Sequence, residues 1–317
     1  MKLLKKTFKI LVVSLVLLAI VIAVLFGYRD IPVEDLKEKY APAPSAFVAL
    51  DGMQVHYRDE GNANDTLPIV LIHGTGASLH TFDAWAAELQ KDHRVLRMDL
   101  PAYGLTGPFP DADYSIDNYV GFIKDFLRAK DIEKCVLGGN SLGGNISWDF
   151  TSQYPDMVAK LILIDATGYP SKPTSEPLAF KIPRMPVIKH VFKFITPRPV
   201  VRTSVENVYA NKSKVTEELV DRYLELTLRQ GNRKAFVDRI KSKNDSTAYH
   251  KIKAIQQPSL VLWGEQDKLV PLKNAHRFHE DLENDTLVIL KNVGHVPMEE
   301  SPAESLAAVL AFLEKKY

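Results

Sequence analysis

The sequence predicts an α/β fold: a mostly parallel central sheet with helices on both faces, an inserted helical segment, and a transmembrane helix in front. Three observations predict it. Short apolar runs alternate with segments whose apolar residues recur at helical spacing, as expected of parallel strands buried on both faces. The alternation stops after Gly168 and resumes at Ser259. The chain also opens on a long uncharged stretch.

Taken in order, residues 1–28 read as a membrane anchor. Lys2, Lys5, Lys6 and Lys9 precede a run from Ile10 to Tyr28 that carries no charge. As a helix this run spans about 28 Å at about 1.5 Å per residue, close to the hydrocarbon thickness. A cleaved signal peptide is the rival reading. It would want a shorter apolar core and small residues before a cut site, and Val24-Leu25-Phe26-Gly27-Tyr28 offers no such pair. The lysines ahead of the run place the N-terminus in the cytoplasm and the remainder on the outer, periplasmic or extracellular, side.

Residues 29–45, with prolines at 32, 42 and 44, form a linker. Phe47–Leu50 and Met53–Arg58 flank Asp51-Gly52 and read as a hairpin. Pro68–Ile72 is an apolar strand ending in His73-Gly74-Thr75-Gly76, followed by a helix over Leu79–Leu89. Arg94–Met98 is a strand, and residues 115–130 repeat apolar side chains at helical spacing. Lys134–Leu137, a helix from Asn145, and Leu161–Ile164 complete a first core segment over residues 46–169. Residues 170–254 begin rich in proline and continue with helical spacing at Leu219, Tyr223, Leu226, Leu228 and Phe236. This is a helical cap. Ser259–Trp263, a helix near Asn274–Asp281, Thr286–Leu290 and a last helix over Pro302–Lys316 form a second core segment, residues 255–317.

Composition narrows the function. Of 317 residues, Lys+Arg number 40 and Asp+Glu 39, a net charge of +1 that leaves no basic footprint for nucleic acid. The lone cysteine, Cys135, excludes an intrachain disulfide and a cysteine-based zinc site.

The chemistry concentrates at Gly138-Gly139-Asn140-Ser141-Leu142-Gly143-Gly144, between a strand end and a helix start. A serine there sits in a tight turn, and glycines on either side let the backbone close up. The turn exposes the Ser141 hydroxyl and aims the Leu142 N–H, at a helix N-terminus, at whatever the serine attacks. The same residues also fit a glycine-rich turn with an incidental serine. Acyl transfer further needs a base, an orienter for the base and donors for an oxyanion. Asp267 and His295 also follow strand ends, which in a parallel sheet open on one crevice. Asp165 ends a strand too and competes with Asp267 for the acid role.

Four segments together resemble the α/β-hydrolase family over about residues 45–317: His73–Gly76, the Gly139–Gly143 elbow, Trp263–Pro271 and Asn292–Pro297. The resemblance implies a catalytic triad of Ser141, Asp267 and His295, with the backbone N–H groups of Thr75 and Leu142 as oxyanion hole, and no cofactor or metal. The chain departs from the family where Asp-x-x-Gly-x-Gly-x-Ser is common, with Ala102 and Thr106 at two of those places. A serine nucleophile argues against dehalogenases and epoxide hydrolases of the family, which use aspartate. Carbon–carbon hydrolases of ring-cleavage dienones share the elbow but usually carry Trp after the catalytic His, where this chain has Val296-Pro297. The resemblance thus implies a serine hydrolase of small or lipid-like carboxylic esters or lactones. The alternatives are a dienone hydrolase and, in another class, a non-catalytic binding protein. Leu178, Phe180, Ile182, Met185, Val187, Ile188, Val191, Phe192 and Phe194 suggest an apolar pocket wall in the cap, and a cap near the bilayer would receive lipid-like substrates.

Overall fold

The computed structural model describes all residues except 1–4, 15–16, 18–20, 22–26, 186–195, 243–244, 246 and 316–317. Its centre is an eight-stranded sheet in the order β1-β2-β4-β3-β5-β6-β7-β8. β1 (Ser45–Leu50) and β2 (Met53–Gly61) form the expected hairpin, closed by Asp51 and Gly52 at positive φ. β2 runs antiparallel to β4 (Arg94–Met98), and from there the sheet is parallel: β3 (Ile69–Ile72), β5 (Cys135–Asn140), β6 (Val158–Ile164), β7 (Ser259–Gly264) and β8 (Asp285–Leu290).

Both faces are buried, and β3 shows why its run is wholly apolar. Val70 and Ile72 enter one core with Leu96, Leu137 and Phe126, whereas Ile69 and Leu71 enter the opposite core with Trp85, Val95 and Phe312. A strand with period 2 and cover on both sides has no solvent face on which to place polar residues. The covering helices are α2 (Asp83–Leu89), α3 (Ile116–Ala129), α4 (Leu142–Gln153), α8 (Lys273–Asp281) and α9 (Pro302–Glu314), with α1 and α5–α7 described below. Ser115 caps α3 by accepting the Asn118 N–H.

Between β6 and β7 the described chain adds no strand to the sheet and carries α5 (Arg198–Val208), α6 (Glu217–Leu228) and α7 (Asn232–Lys241). α5 lies within the proline-rich part. Pro199 is accommodated because it sits in the first turn, where its missing N–H costs no intrahelical bond. Of the apolar residues assigned to a pocket wall, Val187, Ile188, Val191, Phe192 and Phe194 lie outside the described residues.

The segment read as a linker is a strap. It holds α1 (Val33–Tyr40) and is fastened to α6 and α7. Ile31 donates to Leu228 O and accepts from Gln230 N, both at 2.8 Å. Arg233 pairs with Asp30 at 2.6 Å, and the Tyr40 hydroxyl donates to Glu225 at 2.7 Å. Leu36 and Tyr40 are buried against Leu105 and Leu226.

The N-terminal expectation is corrected. Residues 5–14 are helical and exposed, and ten residues reach about 15 Å, half the hydrocarbon thickness. No helix among the described residues is long and apolar enough to cross a membrane. That finding overturns the transmembrane anchor over residues 1–28, the single-pass placement and the outer-side location. Much of the apolar run, residues 15–16, 18–20 and 22–26, lies outside the described residues.

Candidate active site

Ser141 stands between the last residue of β5 and the first of α4, at φ 53° and ψ −111°. A side chain at positive φ costs about 1–3 kcal/mol and persists only where its surroundings enforce it. They do so here. Ser141 N donates to Ile164 O at 3.0 Å, and Ser141 O accepts from Asn145 N at 3.0 Å and Thr167 N at 3.1 Å. Gly139 and Gly143 allow the turn to close, because a Cβ on Gly139 would run into the Gly143 backbone and one on Gly143 into Ile72 O. Leu142 is the first residue of α4, so its N–H has no carbonyl to meet inside the helix. Its side chain is buried in the core.

Asp267 and His295 come together. His295 Nδ1 lies 2.7 Å from Asp267 Oδ2, with both residues buried. Asp267 Oδ1 accepts from Leu269 N at 2.8 Å and Val270 N at 3.0 Å, which fixes the carboxylate plane. With Nδ1 donating to Asp267, the other ring nitrogen of His295 is left as an acceptor. Ser141, His295 and Thr75 line one cavity of about 100 Å³, together with Val205, Phe180 and Phe236 among others.

Asp165 joins this group. One ligand atom each from Asp165, Asp267 and His295 lies within 4.8 Å of the others, the one cluster of metal-ligating spacing among the described residues. Two of its atoms are already engaged, His295 Nδ1 with Asp267 and Asp165 Oδ1 with the N–H of Gly264 at 3.0 Å.

Two supporting residues escaped the sequence reading. Asn140 Nδ2 donates to Ile164 O at 3.1 Å and to His295 O at 3.0 Å, tying the elbow to the histidine loop. Glu300 gathers three backbone N–H groups, from Gly294 at 2.7 Å, Asn211 at 2.7 Å and Ala210 at 3.1 Å. The loop that carries His295 is thereby stitched to the chain after α5, and His295 N also donates to Val208 O at 2.8 Å. Asn140 lay in view inside the elbow motif. Glu300 gave no signal, since Glu299-Glu300 before a helix reads as a solvated pair.

Four other histidines have other tasks. His73 is wholly buried and donates from Nδ1 to Gly74 O, while its Nε2 accepts the Leu100 N–H; burial holds its pKa below the usual value. That ring orders the turn carrying Thr75. His80 is buried and bonds Tyr40 O from Nε2 at 3.0 Å, linking the same loop to the strap. His279 pairs with Asp285 on the surface. His56 completes a second Ser-His-Asp row, 2.7 Å from Asp99 and 3.0 Å from Ser45 Oγ. In that row the Ser45 oxygen already accepts from Arg58 Nε at 2.9 Å and His56 has no exposed surface, so it serves as an internal brace.

Comparison with known proteins identifies the family. The model of the alpha/beta hydrolase fold family matches residues 68–302. The chain belongs to that family. It is 29% identical over 280 residues to a 2-hydroxy-6-oxononadienedioate/2-hydroxy-6-oxononatrienedioate hydrolase of Burkholderia vietnamiensis, covering 83% of this chain and 92% of the relative. It is 28% identical over 272 residues to Lipase 1 of Psychrobacter immobilis, covering 82% and 81%. Among solved structures, a meta-cleavage product hydrolase from Pseudomonas fluorescens IP01 superposes with a TM-score of 0.73 at 24% identity, covering 84% of this chain and 97% of that one.

Proposed function

We propose that this hydrolase cleaves carboxylic esters or lactones through an acyl-enzyme on Ser141. His295 takes the Ser141 proton from its free ring nitrogen as the hydroxyl attacks the carbonyl carbon, and returns it to the leaving alkoxide. Asp267 holds the ring tautomer and stabilises the imidazolium. The N–H groups of Thr75 and Leu142 receive the oxyanion. Water, activated by His295 in turn, then releases the carboxylic acid. No cofactor or metal takes part.

The observation that carries the ester reading is the chemistry of the cavity wall. The described residues that line it include Val200, Val201, Val205, Val208, Phe180 and Phe236, and none is a lysine or arginine. A neutral acyl chain suits such a wall. The dienoate substrates named for the Burkholderia relative are anions, and a carboxylate buried there would meet no cationic lysine or arginine among the described lining residues. This reading takes residues 46–169 and 255–317 as the hydrolase core and residues 170–254 as a cap that supplies the wall, with α5 and α7 facing the elbow.

Labelling with a fluorophosphonate probe, paired with hydrolysis of p-nitrophenyl esters and of a ring-cleavage dienone, tests the proposal. We expect labelling and ester turnover, both removed by Ser141→Ala with a rate loss on the order of 10⁵-fold. Turnover of the dienone alone would transfer the assignment to carbon–carbon hydrolysis. A folded protein that neither labels nor turns over either substrate would instead be a binding protein.

A further inference from the structure

Asp165 is an acidic group at this end of the sheet that the proposed chemistry leaves unused. It follows β6 directly, at φ 45°, a backbone conformation that side chains rarely adopt. It has no exposed surface. Its Oδ1 is satisfied by the Gly264 N–H, but its Oδ2 is buried without a hydrogen-bond partner among the described donors. Its polar company includes the acceptor Asp267, since Asp165, Asp267 and His295 share the 4.8 Å cluster.

A carboxylate is an acceptor only. Two carboxylates this close and out of water repel, and one of them keeps its proton. A protonated carboxyl is a donor, which resolves the orphaned oxygen and the repulsion together.

We infer that Asp165 is a neutral carboxylic acid whose Oδ2–H donates to Asp267, making it a positioning residue that fixes the acceptor of the His295 hydrogen bond. The groups that face it are Asp267 and His295 from the two loops and Glu300 from the turn beyond them. Burial, then Asp267 and Glu300, raise its pKa well above the ordinary carboxyl range, against the opposing Gly264 N–H. The strained backbone at residue 165 is consistent with a side chain held to one orientation. The kinetic part of the inference rests on the Ser141–His295–Asp267 reading; the protonation state does not.

Two measurements test it. In the infrared, protein grown with isotope-labelled aspartate should show the carbonyl band of a buried protonated carboxyl at neutral pH, lost in Asp165→Asn. Absence of the band from the wild type would overturn the inference, whatever the enzyme's activity. In kinetics, the acidic limb of the kcat/KM profile reports the titration of the base. Asp165→Asn exchanges one neutral donor for another and should leave that limb within about 0.3 pH unit, whereas Asp165→Ala, which strips a donor from Asp267, should move it up. A shift downward of about one pH unit or more in Asp165→Asn would mean that a negative charge had been removed beside His295, and would overturn the inference. If the wild type neither labels nor turns over esters, the proposed reaction fails while the infrared band still decides the state of Asp165.

Discussion

Acidification should unfasten the loop that carries Thr75, and His80 is the group that sets where. Burial lowers its pKa from the ordinary imidazole value of 6.5 to about 4, with Arg222 and Arg58 adding to the shift and Asp99 and Asp83 opposing it. Its ring donates from Nε2 to Tyr40 O, and its Nδ1 lies 3.2 Å from the Ser78 hydroxyl, which donates to it. The folded chain therefore uses the neutral ring. Below pH 6.5 the unfolded chain binds a proton that the folded chain refuses, so stability is complete above that value and falls as the pH approaches 4. At about 1.4 kcal/mol per pH unit, the interval from 6.5 to about 4 corresponds to a loss of about 3 kcal/mol from this one residue. His73, lowered in the same direction by its own burial, adds to the slope. Urea unfolding at a series of pH values reads the effect. His80→Gln, whose amide can still reach Tyr40 O, should be less stable than the wild type at neutral pH but lose distinctly less on acidification. Curves that run parallel through this window, or a wild type that gains stability on acidification, would refute the reasoning.

Other outcomes follow from the same contacts. Glu300→Ala strands three backbone N–H groups, of which that of Gly294 is buried, so we expect a loss of about 2–4 kcal/mol in denaturant unfolding, and a smaller loss in Glu300→Gln, which keeps one acceptor oxygen. Gly143→Ala places a methyl against Ile72 O and should abolish fluorophosphonate labelling or prevent folding, whereas the half-buried Gly121, with open space for a Cβ, should tolerate the same change in both assays. Val205→Trp fills part of the cavity beside Ser141 and should shift preference among p-nitrophenyl esters toward short acyl chains, with kcat on the shortest ester falling least.

Much of the core was legible because its signals are local. Each strand is a short apolar run, since a strand covered on both faces admits no polar alternation, and the turns announce themselves as Asp51-Gly52 or Gly139–Gly143. What could not be read is what joins distant parts of the chain. The strap was taken for a linker because its prolines are local and its partners are not: Asp30 meets Arg233 across 203 positions. Asn140 reaches His295 across 155 positions, and Glu300 meets Asn211 across 89. The anchor was an inference from hydropathy alone, and the described helix there is too short to carry it.

Residue type and spacing determined by themselves the alternating sheet and the interruption after Gly168, and nominated Ser141, His295 and the two acids Asp267 and Asp165 as candidates, because turns and buried strands are written in consecutive residues. Tertiary structure alone decided how the two acids divide their roles. Asp267 accepts hydrogen bonds from the His295 ring and from two backbone N–H groups, while Asp165 is sealed beside it with one oxygen unmet. Both follow strand ends and look alike in sequence; the water withheld from one, and the donors supplied to the other, are properties of the folded site.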